Sequence, residues 1–327
     1  MLFVAPISRE AVDSVYNYSQ DTSRKLGLIA SKNQVDHSGG YVENWTTNEY
    51  INYIHLIKEK YPGADVLICR DHCGPGFNGK YDLTDTYLTI DTDIDNNFDM
   101  IHVDLCHLSE DKDKVVSTTT EIIEYILNKN SKILLEIGTD EIQESLNISR
   151  LEMSLPVFTS VCSPFSYAIN TGTLTKNNKQ VGKFNIDDAK KAKEILDSYG
   201  IKLKEHNADY LDVDDIKQRE KIVDCMNIAP ELGYIQTKCV MNLAYHFGVN
   251  TNDFSNLCYE MGNWEKWISD AHMALNKDDV ALSCGHYHYT SNEYKDIVDK
   301  LNKYIELDKF IASSLRLTLE RYDNLYN

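Results

Sequence analysis

The chain has 327 residues, of which 42% are hydrophobic and 26% charged, with a formal net charge of -18. No apolar run approaches the ~18 residues of a membrane helix, and the negative charge opposes binding to nucleic-acid phosphates or anionic lipid. The start, "MLFVAPISRE", has no basic n-region and no long apolar stretch, so no secretory signal is expected and the cytoplasm is the expected compartment.

Short apolar runs recur along the chain, each followed by a turn and a stretch of helical period. In order they are "LGLIAS" from Leu26, "DVLIC" from Asp65, "MIHVDL" from Met100, "KILLEIG" from Lys132, "VFTSVC" from Val157 with "SYAIN" behind it, "IKLKEH" from Ile201, "CMNIA" from Cys225 and "DVALSC" from Asp279. Between them, stretches such as "STTTEIIEYILNKN" and "IDDAKKAKEILDSYG" repeat apolar residues at three and four positions. This alternation, without a Pro/Ser-rich linker, predicts one (β/α)8 TIM barrel over residues 1–327, with a doubly wound sheet as the alternative. Helical segments at 11–24 before the first predicted strand, at 252–276 before the last, and from 301 onward exceed a minimal barrel. The tail has an apolar stripe that would close the barrel bottom or meet a partner subunit.

Five of the eight cysteines, at 69, 106, 162, 225 and 284, fall in or beside strand-like runs, and no CxxC pair occurs. Free thiols are expected, rather than disulfides or a zinc ribbon. The acidic "DTDIDNNFD" from Asp91 lacks the glycine and terminal glutamate of an EF-hand loop and reads as a solvated segment. The sequons at Asn44 and Asn147 carry no weight without secretion.

Barrel enzymes gather their chemistry at the carboxyl ends of strands. The residues at the predicted ends are Asn33 and Gln34, Asp71 and His72, Asp104, Glu136, Asn170, His206, Asn227, and His286 with His288. Any one of them could be a hydrogen-bonded structural residue, but so many from separate strands point to a common site. His286 and His288, two apart on a predicted strand, would share a face as a second ligand pair or an anion contact. His246 and His272 lie in helical segments and read as structural. Glycines at 74, 76 and 79 suggest a mobile flap or a surface turn.

"DHCGPG", "MIHVDLCHLSEDKDKVVSTTTEII" and "CMNIAPELGYIQTKCVMNLA" resemble, in this order, strand-and-helix segments of class II fructose- and tagatose-bisphosphate aldolases. "IASKNQVDHSGGY", "RDHCGPG", "EIGTDE" and "EHNADY" are similar to the non-catalytic subunit of tagatose-bisphosphate aldolase. The resemblance implies a divalent metal, zinc with manganese or magnesium as alternatives, held by His72 and His206, with Glu136 as third ligand or as a salt-bridged barrel carboxylate. It implies Asp71 as general acid/base, Asp104 as orienting residue, Asn227 on the enediolate end, and Asn33 and Gln34 reading sugar hydroxyls. Asp71 and His72 are neighbours on a strand, so both reach one site only if the chain turns there. The family's fifth-strand metal His is replaced by Asn170, in "SYAINTGTLTKNN". Its phosphate-holding Gly-Ser is replaced within "NADY", and an Arg-rich stretch by "CGHYHYTS". Two functions follow: metal-dependent aldol or retro-aldol chemistry on a ketose or ketose phosphate, as aldolase or C4-epimerase, or a stabilising subunit of a catalytic aldolase. A homo-oligomer fits either.

Overall fold

The structure, a computed structural model, describes residues 1–139 and 146–323. Asp140 and Glu141, within the quoted "EIGTDE", lie outside them. Eight parallel strands form the barrel: β1 (Leu2–Val4), β2 (Leu26–Ser31), β3 (Val66–Cys73), β4 (Met100–Val103), β5 (Leu134–Thr139), β6 (Ser166–Ile169), β7 (Lys202–Glu205) and β8 (Cys225–Ile228). Phe3 of β1 pairs with Gly27 on one side and Asn227 on the other, which closes the ring and excludes an open doubly wound sheet. This is the expected (β/α)8 fold.

Three boundaries differ from expectation. The first strand is Leu2–Val4, too short to show a period of two, so the helix over Arg9–Thr22 (α1) is the barrel's own first helix and not an addition. "VFTSVC" belongs mostly to the end of the helix Ile148–Val161, whose buried Leu151, Ser154, Leu155 and Phe158 recur at helical spacing despite the internal Pro156. "DVALSC" is helical too. Asn276 caps the helix Lys277–Cys284, accepting from the Asp278 amide, and a 3-10 turn over Gly285–His288 follows. A short buried apolar run cannot be assigned by periodicity alone. The extra helices at Asn252–Glu260 and Ala271–Leu275 therefore follow the last strand.

Most helices open on a polar cap: Ser8, Asp82, Asp111 and Asn185 each accept a first-turn amide, and Thr46 forms a full capping box with Glu49. The helix Pro230–Phe247 (α8) is different, because its N-cap Ala229 offers no side-chain bond and Pro230 has no N–H. The last helix, Leu307–Asp323 (α13), packs its buried Leu307, Ile311, Leu315 and Leu319 against α1 and α8, so it joins the outer ring and does not plug the bottom.

The lumen is not wholly apolar. Glu136 of β5 and Lys204 of β7 are fully buried and paired at 2.8 Å, and the Lys204 ammonium lies 3.9 Å from the Phe3 ring centroid. Gly27 makes room for that ring, since a Cβ there would come within 2.2 Å of it. All eight cysteines are free, and no helix among the described residues is long and apolar enough to cross a membrane.

Candidate active site at the barrel mouth

β3 delivers the first two side chains, and it does so by breaking its own pleat. In a regular strand Asp71 and His72 would face opposite ways. Here the pairing with β4 shifts register between Arg70 and Cys73, and His72 has a left-handed φ of 46°. For a non-glycine residue this costs of order 1–3 kcal/mol and is tolerated where the surroundings hold it. The expected turn is thus present, but on His72 itself and not at the glycines behind it. The strand is anchored from outside by Arg70, which is completely buried and forms two 2.7 Å bonds to Asp93 of the following helix.

His72 meets two other imidazoles. Its ring centroid lies 5.1 Å from that of His102 and 5.1 Å from that of His206, and these two are 5.2 Å apart. One ligand atom from each of Asp71, His72, His102 and His206 falls within 4.8 Å of all the others. His102 comes from the middle of β4, a position that strand-end reasoning passes over. Its signal is alternation: Met100, His102 and Asp104 share one face.

The hydrogen bonds fix how these rings present themselves. His72 Nδ1 lies 2.9 Å from Asp104 Oδ2, so Nδ1–H donates and Nε2 carries the lone pair. His102 Nε2 donates to the Gly138 carbonyl at 2.9 Å, and Nδ1, turned toward Asp71, accepts from the His72 backbone amide at 3.3 Å. Asp71 and Asp104 are buried, which alone would raise both carboxyls. The imidazoles around Asp71, and the His72 bond to Asp104, outweigh burial and hold both below the usual carboxylate range. Three imidazoles and one carboxylate at this spacing suit a borderline divalent ion such as zinc better than oxygen-seeking magnesium.

Glu136 sits beside this group but has other partners. It takes both Lys204 and the Ser166 hydroxyl, and reaches His206 Nε2 at 3.3 Å and His102 Nδ1 at 3.4 Å. The Lys204 pair is the contact that one of its two expected readings names.

The remaining expected residues, His288 excepted, line one of two cavities. One, of about 220 Å3, is the barrel mouth, walled by Asn33, Gln34, Asp71, His72, His206, Asn227 and His286, with Tyr41, Phe77, Trp267 and Tyr287 adding aromatic surface. Asn227 is 5% exposed, and among the described residues neither its amide nitrogen nor its oxygen has a partner. Gln34 is engaged by the Ser31 amide and the Tyr41 hydroxyl. Asn170 does not join this group; it lines a smaller cavity of about 70 Å3 between the ends of β4, β5 and β6 and the helices Lys112–Lys129 and Ile148–Val161, and its Oδ1 accepts from Gly172. His286 and His288 are not strand neighbours on one face. They lie on the 3-10 turn, where His286 reaches the mouth and His288 does not. Burial lowers His286 to about 3, so it is neutral and no anion contact by charge.

The glycine loop after β3 is tied down. Phe77 stacks on His72 at 4.7 Å, while Asn78 donates to Asp36 and Asp85, and Lys80 bonds Asp85 at 3.0 Å. Gly74 is required there, because a Cβ would sit 1.7 Å from the Asp104 carbonyl oxygen.

Asp209, on the loop after β7, also borders the mouth. It is 1% exposed, and burial, aided by Glu231, pushes its carboxyl up to about 7. Because this folded-state value exceeds the unfolded one, the stability that Asp209 contributes is complete below about pH 4 and is lost as pH rises through about 7. Asp209→Asn should remove a stability decline on the order of 3 kcal/mol across that window. Urea unfolding of both proteins at pH 5 and pH 8 measures it, and equal slopes would contradict the assignment.

No protein-family model matches the chain, and neither does any curated protein sequence. Among solved structures, a probable tagatose 6 phosphate kinase from Sinorhizobium meliloti 1021 superposes with a TM-score of 0.83 at 13% identity over 99% of both chains. A fructose-bisphosphate aldolase from Campylobacter jejuni gives 0.65 at 14% identity, over 99% of this chain and 89% of its own. The YdjI aldolase from Escherichia coli K12 gives 0.53 at 11% identity, over 92% and 90%. The chain therefore has a barrel fold that aldolases of known structure share.

Proposed function

We propose that the chain is a divalent-metal-dependent enzyme that makes or breaks a carbon-carbon bond next to a ketone, acting on a ketose or ketose phosphate as an aldolase or a 4-epimerase. The observation that carries this reading is the meeting of His72, His102 and His206 beside Asp71 at the carboxyl ends of separate strands. The three imidazoles would hold the ion, His102 giving up the 3.3 Å bond that its Nδ1 accepts from the His72 amide, with zinc favoured by the donor set. A bound divalent ion would supply Lewis acidity toward a carbonyl and its neighbouring hydroxyl.

The chain's own groups do the rest. Asp104 fixes the His72 tautomer, and Glu136 orients His102 and His206 from inside the barrel. Asp71, held ionised, accepts the proton of the hydroxyl on the carbon whose bond breaks, and returns it after re-addition. The electron pair of the broken bond moves toward the ketone, whose enediolate end meets the Asn227 amide. Gln34 and Asn33 contact the outer hydroxyls, and the rings of Phe77, Tyr41 and Trp267 exclude water.

Purified protein is expected to hold about one divalent ion per chain, with His72→Ala losing it while keeping the wild-type circular dichroism. Elemental analysis decides this. Unchanged metal in the variant refutes the ligand assignment. No ion in the wild type, with a co-purifying aldolase, would favour the stabilising-subunit role.

A further inference from the structure

In (β/α)8 enzymes a substrate phosphate is commonly held by the loops after the seventh and eighth strands and the N-terminus of an adjoining helix, where free amides and the helix dipole favour an anion. The corresponding place here is the loop after β7, residues 206–211, and the start of α8. Three of its amides are already taken. Asp209 Oδ1 accepts from the Ala229 and Glu231 amides, each at 2.9 Å, and Glu231 Oε2 accepts from the Tyr210 amide at 2.7 Å. Pro230 has no N–H to give. Since α8 lacks a cap of its own, Asp209 serves as one from 20 residues upstream.

We propose that Asp209 occupies, as an internal carboxylate, the phosphate position of this barrel, so that the ligand of the mouth is an uncharged polyhydroxy ketose without a phosphate at its β7–β8 end. The inference rests on reading the mouth as a sugar site. Two further features agree. Asn227, at the end of β8, presents both an unpaired donor and an unpaired acceptor, which a hydroxyl can satisfy together and a phosphate dianion, only an acceptor, cannot. Among the described residues lining the mouth, Lys266 is the one lysine or arginine, and its ammonium lies over the Trp267 and Tyr287 rings. A phosphate at the β7–β8 end would face the Glu231 side chain and, as pH rises past about 7, an ionised Asp209, in a chain of net charge -18.

The test begins with inorganic phosphate, titrated calorimetrically into chelator-stripped protein, so that the result is independent of metal uptake. Wild type and Asp209→Asn, whose amide oxygen can still accept both N–H bonds, should show no saturable binding at millimolar concentrations. Asp209→Ala, which frees the two amides, should bind phosphate saturably at millimolar concentrations, and a folded Asp209→Ala that binds none also overturns the proposal. Saturable phosphate binding by the wild type overturns the proposal. A second titration compares D-fructose and D-tagatose with their 6-phosphates on zinc-loaded protein. The parent ketoses should bind at least as tightly as the esters, and an ester preference of about ten-fold or more also overturns it. Should Asp209→Ala fail to fold, the wild-type titrations decide alone. Failed zinc uptake would count against the metal-enzyme reading and leave the phosphate result standing.

Discussion

His102→Ala is expected to lower zinc affinity by more than the ~10–100-fold that follows loss of an outer partner of a metal ligand. Glu136→Gln, in which the altered group only orients the imidazoles, should fall within that range. The contrast follows from the hydrogen bonds. The Gly138 carbonyl takes the Nε2 proton of His102 and turns Nδ1 to the cluster, whereas the Glu136 oxygens are engaged by Lys204 and Ser166. Zinc titration against a competing chelator, on variants whose fold is first checked by circular dichroism, gives both constants. A larger loss in Glu136→Gln than in His102→Ala would exchange their roles and restore the carboxylate as third ligand. His102→Ala also removes the acceptor of the His72 backbone amide, a 3.3 Å bond at a residue with strained φ. A His102→Gln variant, which keeps a side-chain acceptor there, separates metal loss from relaxation of the β3 turn.

The sequence shows the barrel through its alternation of apolar runs and amphipathic helices, because a buried parallel strand and a helix differ in length and period. What it conceals follows from the same physics. Leu2–Val4 is too short for a period, and "DVALSC" is apolar on enough sides to fit either element. At the site, His72 and His206 stand at strand ends, where the rule for barrel enzymes looks, and they do meet. His102 lies one turn of the pleat deeper, and only its alternation with Asp104 marks it as facing inward. That Asp71 joins His72 depends on a left-handed φ at His72, a backbone choice that side-chain pattern does not encode. Asn170 ends its strand as expected, yet its loop turns it toward Gly172 and the smaller cavity. Asp209 and Glu231 are hidden for a different reason: acidic residues in a loop or a first helical turn read as solvated, and only the meeting of the loop after β7 with the start of α8 places Asp209 on the Ala229 and Glu231 amides and Glu231 on that of Tyr210.

Lys204 is the deepest case of the same concealment, since a lysine in "IKLKEH" reads as solvent-facing although it alternates with His206 and therefore points into the lumen. It is fully buried, and its ammonium is matched by Glu136 at 2.8 Å and by the face of Phe3. Removing one partner of such a pair leaves the other charge in a dry interior, which costs about 3–5 kcal/mol, whereas replacing both by apolar groups of similar volume is often neutral. Lys204→Met should therefore lower the free energy of unfolding by about 3–5 kcal/mol in urea, and Lys204→Met with Glu136→Leu should recover most of it. A single-variant loss below about 1 kcal/mol, the size of a solvent-exposed pair, would show that water reaches the lumen at this level. The double variant carries the functional half of the prediction. It should refold as a barrel but orient His102 and His206 poorly, because the carboxylate that lies 3.4 and 3.3 Å from their rings is gone. Its zinc affinity should then stay ~10–100-fold below wild type while stability returns, which would separate the pair's structural role from its positioning one.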